Sequence, residues 1–264
     1  MGAFETKSSF ILRRKRLGYR KVTSKLGHLQ NIISRLSSHY GPSRPPISND
    51  PFELILFENV AYLVSDERRE AAFNLLRKTI GTKPHELLAA PNDALLSVAK
   101  LGGMQPERRA ARLREIAMIA MDAFAGDLSS ALKLPLPKAR QALRKFPGIG
   151  DPGAEKILLF ARAYPVLGLD SNGLRVLLRL GFGEEKKNYS ATYRSVQDAI
   201  NDQLSADYDW LISAHVLLRQ HGKELCKTSR PLCEQCPVRK SCAYFRQTNA
   251  GDRQDLQDLR KLKT

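Results

Sequence analysis

The stretch from Phe146 to Arg175, FPGIGDPGAEKILLFARAYPVLGLDSNGLR, leaves this chain little freedom. Phe-Pro-Gly-Ile-Gly is a tight turn between an amphipathic segment, Lys138 to Lys145, and an apolar one, Ala154 to Ala163, so two helices must pack as a hairpin. Lacking Cβ atoms, Gly148 and Gly150 allow left-handed backbone and the close approach of an anion. The turn Gly148-Ile149-Gly150 can then aim amide N–H groups at a phosphate from a helix start. A lone Pro-Gly-Ile-Gly is also a common plain turn between helices, so the rest of the chain has to decide between the two. Twenty residues after Gly150, Asp170 stands in Leu-Asp-Ser-Asn, just before another apolar helix.

Charge narrows the partner. The chain has 264 residues, and 43 Lys plus Arg against 27 Asp plus Glu give a formal net charge of +16, which favours a polyanion. No apolar run approaches the roughly 18 residues of a spanning helix and no signal peptide is visible, so no membrane role is expected. The expected setting is the cytoplasm, with the nucleoid, or a nucleus in a eukaryotic source.

Along the chain, strand patterns are essentially absent and helical periodicity dominates. Residues 1–21 form a basic arm with Arg13, Arg14, Lys15, Arg16, Arg20 and Lys21, read as a solvated segment or a supplementary phosphate contact. An amphipathic helix follows from Thr23 to Tyr40, and the Pro-rich Gly41 to Asp50 marks a boundary. Asp50 caps the next helix, with Pro51 at its first position. Its segment PFELILFENVAYLV is apolar nearly all round, which predicts burial, and it carries one conspicuous acid, Glu58. An acid in such a helix is costly unless paired or used, and a raised pKa there would suit a general acid. Further helices are predicted at Asp66 to Ile80, Pro84 to Ala89, Asp93 to Lys100, Glu107 to Phe124, Pro137 to Lys145, Asn172 to Leu180, Tyr189 to Leu204 and Tyr208 to His221. The loop Leu101 to Pro106, which contains Gln105, is flanked by Arg108, Arg109, Arg112 and Arg114. It reads either as a helix connection with a solvated basic face or as a DNA contact.

Cys226, Cys233, Cys236 and Cys242 form C-x6-C-x2-C-x5-C. Thiols this local cannot staple distant parts of a fold, but four thiolates can wrap one centre, zinc or an iron–sulfur cube. Lys227 and Arg230 lie in the loop that such a centre would hold rigidly toward DNA.

Together, the Asp50-Pro51 helix, the glycine hairpin, Asp170 and the cysteine loop preceded by His221-Gly222 resemble the helix-hairpin-helix DNA glycosylase superfamily, endonuclease III-like, over roughly residues 23 to 245. The resemblance implies an all-α, two-lobed fold. A six-helix barrel lobe would span residues 50–164 and carry the hairpin. An iron–sulfur lobe would be built from 22–49 and 165–245, with a polar tail at 246–264. It further implies a [4Fe–4S] cluster on the four cysteines, and a monomer that acts on double-stranded DNA with a lesion or mismatch. Asp170 would stabilise positive charge developing on the sugar of an extruded nucleotide.

Two departures refine the resemblance. Bifunctional members carry a Lys two residues after the hairpin's last Gly, where this chain has Pro152. The sequence Asp170-Ser171-Asn172 is similar to the Asp-x-Asn of the monofunctional mismatch glycosylases, in which a Glu placed like Glu58 protonates the departing base. Asn172 would orient water or backbone. Tyr62 falls where adenine-specific members place a Gln near the base, and Asp151 puts an acid in the hairpin, where it can cap the helix ahead of Pro152. The expected activity is therefore base excision by N-glycosidic hydrolysis without lyase activity. A bifunctional glycosylase/lyase using another amine such as Lys156, or a non-catalytic DNA-structure-binding protein, are the alternatives.

Overall fold

The computed structural model describes residues 27–248; the basic arm, the start of the first predicted helix and most of the polar tail lie outside them. Among the described residues the fold is all-α, with one isolated backbone bridge between Tyr62 and Gly103. The helices are α1 (His28–Tyr40), α2 (Pro51–Asn59), α3 (Asp66–Thr79), α4 (Pro84–Ala89), α5 (Asn92–Leu101), α6 (Pro106–Phe124), α7 (Ser129–Leu132), α8 (Leu136–Leu143), α9 (Asp151–Phe160), α10 (Ser171–Leu180), α11 (Tyr189–Ile200) and α12 (Tyr208–Glu224). None is long and apolar enough to cross a membrane.

Local chemistry sets most helix starts. The Asp50 side chain accepts from Glu53 N at 3.0 Å with Pro51 following, Ser65 accepts from Arg68 N, and Asn188 from Ala191 N. Buried apolar side chains fall into two clusters. The first draws only on residues between Phe52 and Leu158. The second combines Leu29 to Leu36 with residues from Leu159 to Cys242, so α1 docks on α12 from the far end of the chain. The neighbours Leu158 and Leu159 on α9 point into different clusters, and α9 therefore serves both.

Several predicted boundaries shift. The apolar segment after Pro51 stops being helical at Asn59: the Tyr62 amide donates to the Gly102 carbonyl at 3.0 Å, and Leu63 takes φ +55°. Tyr62 and Leu63 are thus exposed, at 62% and 74%, and do not continue a buried helix. The short α7 carries too little periodicity to be predicted, and α11 tightens at Asn201–Gln203 into a 3₁₀ turn before reaching Leu204.

Candidate active site

The hairpin places its glycines differently from one another. Gly148 has φ +76°, the left-handed turn expected, whereas Gly150 has φ −92° and is the extended N-cap of α9. Both are exposed, but the Ile149 side chain between them is buried in the first core and its amide donates to Phe146 O. Only the backbone of this turn can meet a phosphate. Asp151 does not cap: it is the first residue of α9 and pairs with Arg144 at 3.3 Å, which offsets an acid at this position. A Cβ on Gly148 would come within 3.0 Å of Asn59 Oδ1, so the turn packs directly on the end of α2, beside Glu58.

Asp170 is the N-cap of α10. Its Oδ1 accepts from Gly173 N at 2.8 Å, and its Oδ2 accepts from Asn172 Nδ2 at 3.1 Å and lies 3.3 Å from Arg219 Nε. Burial pushes its carboxyl up, but the Gly173 amide, Asn172, His215 and Arg219 outweigh that, and it is held below the usual carboxylate range. Asn172 in turn accepts from Arg175, whose guanidinium continues to Gly222 O and Cys226 O. Gly222 is required there, since a Cβ would come within 2.7 to 2.9 Å of Asn172.

Glu58 departs from expectation. It is half-buried, and Lys156 Nζ stands 2.5 Å from its Oε1. Burial raises its carboxyl, yet the Lys156 ammonium, with Arg69 and His215, pulls it below its ordinary value. The raised pKa expected of a general acid is therefore not found, because a cation faces the carboxyl across the hairpin. His215 lies alongside, fully buried, donating from Nδ1 to Gly168 O at 2.5 Å, and burial lowers its pKa to about 4.

The other predicted contacts separate. Gln105 is exposed with φ +54° at the start of α6, and Arg108, Lys227 and Arg230 are exposed. Arg109 is not available to DNA: it is 6% exposed, tucked against Gly102, and donates to the Met104 carbonyl, so it props the Gly102–Gln105 loop from beneath. Tyr62 sits on the neighbouring exposed loop.

Cys226, Cys233, Cys236 and Cys242 are unpaired and line one cavity, walled otherwise by apolar groups such as Val176, Leu180, Leu225 and Val238. Arg179 holds the first thiol's loop by donating to Lys227 O at 2.7 Å and Thr228 O at 3.0 Å. Among the described residues no three His, Cys, Asp or Glu side chains stand close enough to hold a single metal ion. The donor set, four soft thiols around an apolar cavity without a carboxylate in its lining, fits a thiolate-bound metal centre, zinc or iron–sulfur.

Sequence reasoning did not find Asp66, Arg175, Arg179, His215 or Arg219. Their roles rest on contacts between distant segments, and only the spacing of His215 and Arg219, which puts both on one face of α12, hinted at them.

No protein-family model matches the chain. Endonuclease III of Thermotoga maritima is 27% identical over 203 residues, covering 77% of this chain and 87% of that protein. A thymine-DNA glycosylase of Aeropyrum pernix is 25% identical over 162 residues, covering 61% of this chain and 69% of its own. The solved structure of a thermostable thymine-DNA glycosylase has the same fold, with a TM-score of 0.66 at 17% identity over 83% of this chain and 97% of that one.

Proposed function

The chain belongs to the helix-hairpin-helix DNA glycosylase superfamily, and from that premise we propose that it excises a mismatched or damaged base from duplex DNA by hydrolysing the N-glycosidic bond, without lyase activity. The observation that carries this is Asp170, an ionised and largely enclosed carboxylate fixed at a helix start by the Gly173 and Asn172 amides. Such a charge, pre-set in a poorly solvated cleft, stabilises an oxocarbenium-like sugar as the bond to the base breaks. Asn172 keeps the carboxylate oriented. The hairpin backbone at Gly148 and Gly150, with Gln105, Arg108, Lys227 and Arg230, is assigned to DNA, and Tyr62 to the neighbourhood of the extruded base.

Glu58 is assigned the proton donated to the departing base. In the free protein Lys156 holds it ionised; a base seated between the two removes that partner and leaves burial, which raises the carboxyl, as the dominant influence. The two halves around the two cores correspond in this reading to a barrel lobe at 50–164 and a cluster lobe at 22–49 and 165–245. The four cysteines are assigned a [4Fe–4S] cluster, whose contribution is folding free energy for its loop. Iron near four atoms per chain supports it, and zinc without iron refutes it.

One observation favours a second reading. The Lys156 amine lies in the site, beside Glu58, and a bifunctional enzyme would use such an amine to form a Schiff base at the sugar. The deciding experiment is a panel of duplexes, each with one lesion or mismatch, incubated with the protein and scored with and without alkali. Cleavage of one substrate only after alkali is the expected result. Cleavage without alkali supports the second reading, and binding with no excision across the panel leaves a DNA-structure-binding protein.

A further inference from the structure

Arg219 on α12 joins two carboxylates from different parts of the fold. Its Nη1 and Nη2 donate to the Asp66 oxygens at 2.8 and 2.6 Å, and its Nε lies 3.3 Å from Asp170 Oδ2. Lys223, one turn further, reaches Asp66 Oδ2 at 2.5 Å. Asp66 opens α3, on the first core, directly after the exposed Tyr62–Ser65 loop, whereas Asp170 and Arg219 belong to helices of the second.

A guanidinium presents its donors in a rigid planar fork, so a two-pronged grip on one carboxylate fixes where its positive charge sits beside the other. We propose that Arg219 is a positioning residue for Asp170, held in place by Asp66, and that this clamp from α3 through α12 keeps the Asp170 carboxylate correctly turned.

Other groups facing Asp170 do not substitute for it. Arg175, on the same helix as Asp170, is committed to Asn172, Gly222 and Cys226. His215 on α12 is buried and spends its Nδ1 proton on Gly168. Tyr189, at the start of α11, brings no positive charge. Among the described residues, Arg219 is the cation in contact with the Asp170 carboxylate.

The inference rests on Asp170 being the carboxylate that faces the sugar, so its test has two arms. One is the pH profile of single-turnover excision for the wild type, Arg219→Met, Arg219→Lys and Asp66→Asn. The other, independent of activity, is the titration of the Asp170 carboxyl carbon followed by NMR. Arg219→Met should slow excision near neutrality about tenfold, the scale of one charge-assisted contact, and move the acid limb of the profile and the Asp170 titration to higher pH. Asp66→Asn should move both the same way by less. Arg219→Lys should restore the acid limb, through its charge, but not the rate, since an ammonium lacks the fork. An Asp170 titration unmoved in both Arg219→Met and Asp66→Asn overturns the clamp; if Arg219→Met fails to fold, Asp66→Asn and Arg219→Lys decide alone. Wild-type protein that excises nothing, with a titration that moves as described, defeats the proposed activity and leaves the clamp standing.

Discussion

The Lys156 ammonium stands 2.5 Å from a Glu58 carboxylate oxygen, linking the helix that follows the hairpin to the helix that begins at Pro51. Both side chains are partly enclosed, at 18% and 27% exposure, so the pair is neither a screened surface contact nor a dry core one. It places an amine in the site and at the same time occupies it.

The first prediction follows from that pair. An amine engaged as an ammonium has no lone pair for the sugar carbon, and Pro152 has no amine, so borohydride should trap no covalent adduct between the wild type and DNA. Lys156→Ala should also relieve Glu58 of the cation that lowers it, moving the basic limb of the excision profile to higher pH. Efficient trapping that disappears in Lys156→Ala would make this a lyase.

Asp170 has two separable duties. Asp170→Asn keeps an oxygen for the Gly173 amide but removes the charge, so excision should fall by about a hundredfold or more while DNA binding survives. Asp170→Ala also deletes the helix cap and should cost about 1 kcal/mol of stability. Equal activity in Asp170→Asn and wild type would move the active site elsewhere.

The two hairpin glycines should behave unequally. Gly148→Ala meets both a left-handed backbone and Asn59 Oδ1 at 3.0 Å, and should destabilise by on the order of 1 kcal/mol. Gly150→Ala, at φ −92° with Pro152 Cδ 3.8 Å away, should leave stability within about 0.5 kcal/mol, so any loss of DNA affinity there reports the backbone's approach to phosphate. Urea unfolding and DNA binding measured on the same samples distinguish the two.

Acid should loosen the fold in a defined window. Glu58, Asp66 and Asp170 are all held below their ordinary values of 4.5, 3.8 and 3.8: Glu58 by Lys156 against the opposing effect of burial, Asp66 chiefly by Arg219, and Asp170 by the Gly173 amide against burial. Each stabilises the fold fully above its unfolded value and gives that up as pH falls through the lower folded one. Glu155, raised mainly by burial, opposes them, since its protonation favours the fold. His215, whose pKa burial lowers from 6.5 to about 4, must gain its proton on unfolding, so urea midpoints should begin to decline below about pH 6.5 and fall more steeply below about 4.5, and Asp66→Asn should flatten the lower part of the decline. A midpoint constant from pH 6 to 3 would contradict the ion-pair network.

What could be read in the chain beforehand was local. Asp50-Pro51 announces a helix start, and Asp170 before Ser-Asn another, because capping is decided within three residues. The end of α2 was not readable, since a carbonyl at Gly102 ends it. Glu58 could be singled out as an unusual acid, but its state depends on a lysine on another helix. Arg109 looked like its neighbour Arg108 because both lie in one basic run; only the packing of Gly102 turns one inward and leaves the other in water. The clamp through Arg219 joins residues 153 positions apart, beyond any pattern of spacing.

The division of labour between Leu158 and Leu159 also bears on synthesis. One core is complete once the chain has emerged past Val166, which packs against it, whereas the other needs α1, made early, and α12, made late. The half around the first core can thus condense while α1 waits, its apolar face uncovered, for a partner more than a hundred residues behind it on the ribosome. Nascent chains stalled once Val166 has emerged from the ribosome should resist protease over residues 52–158 and remain cleavable within 28–40 until Cys242 is out. Any delay in folding of the cysteine loop would prolong the interval in which α1 is open to chaperones, proteases and other nascent chains.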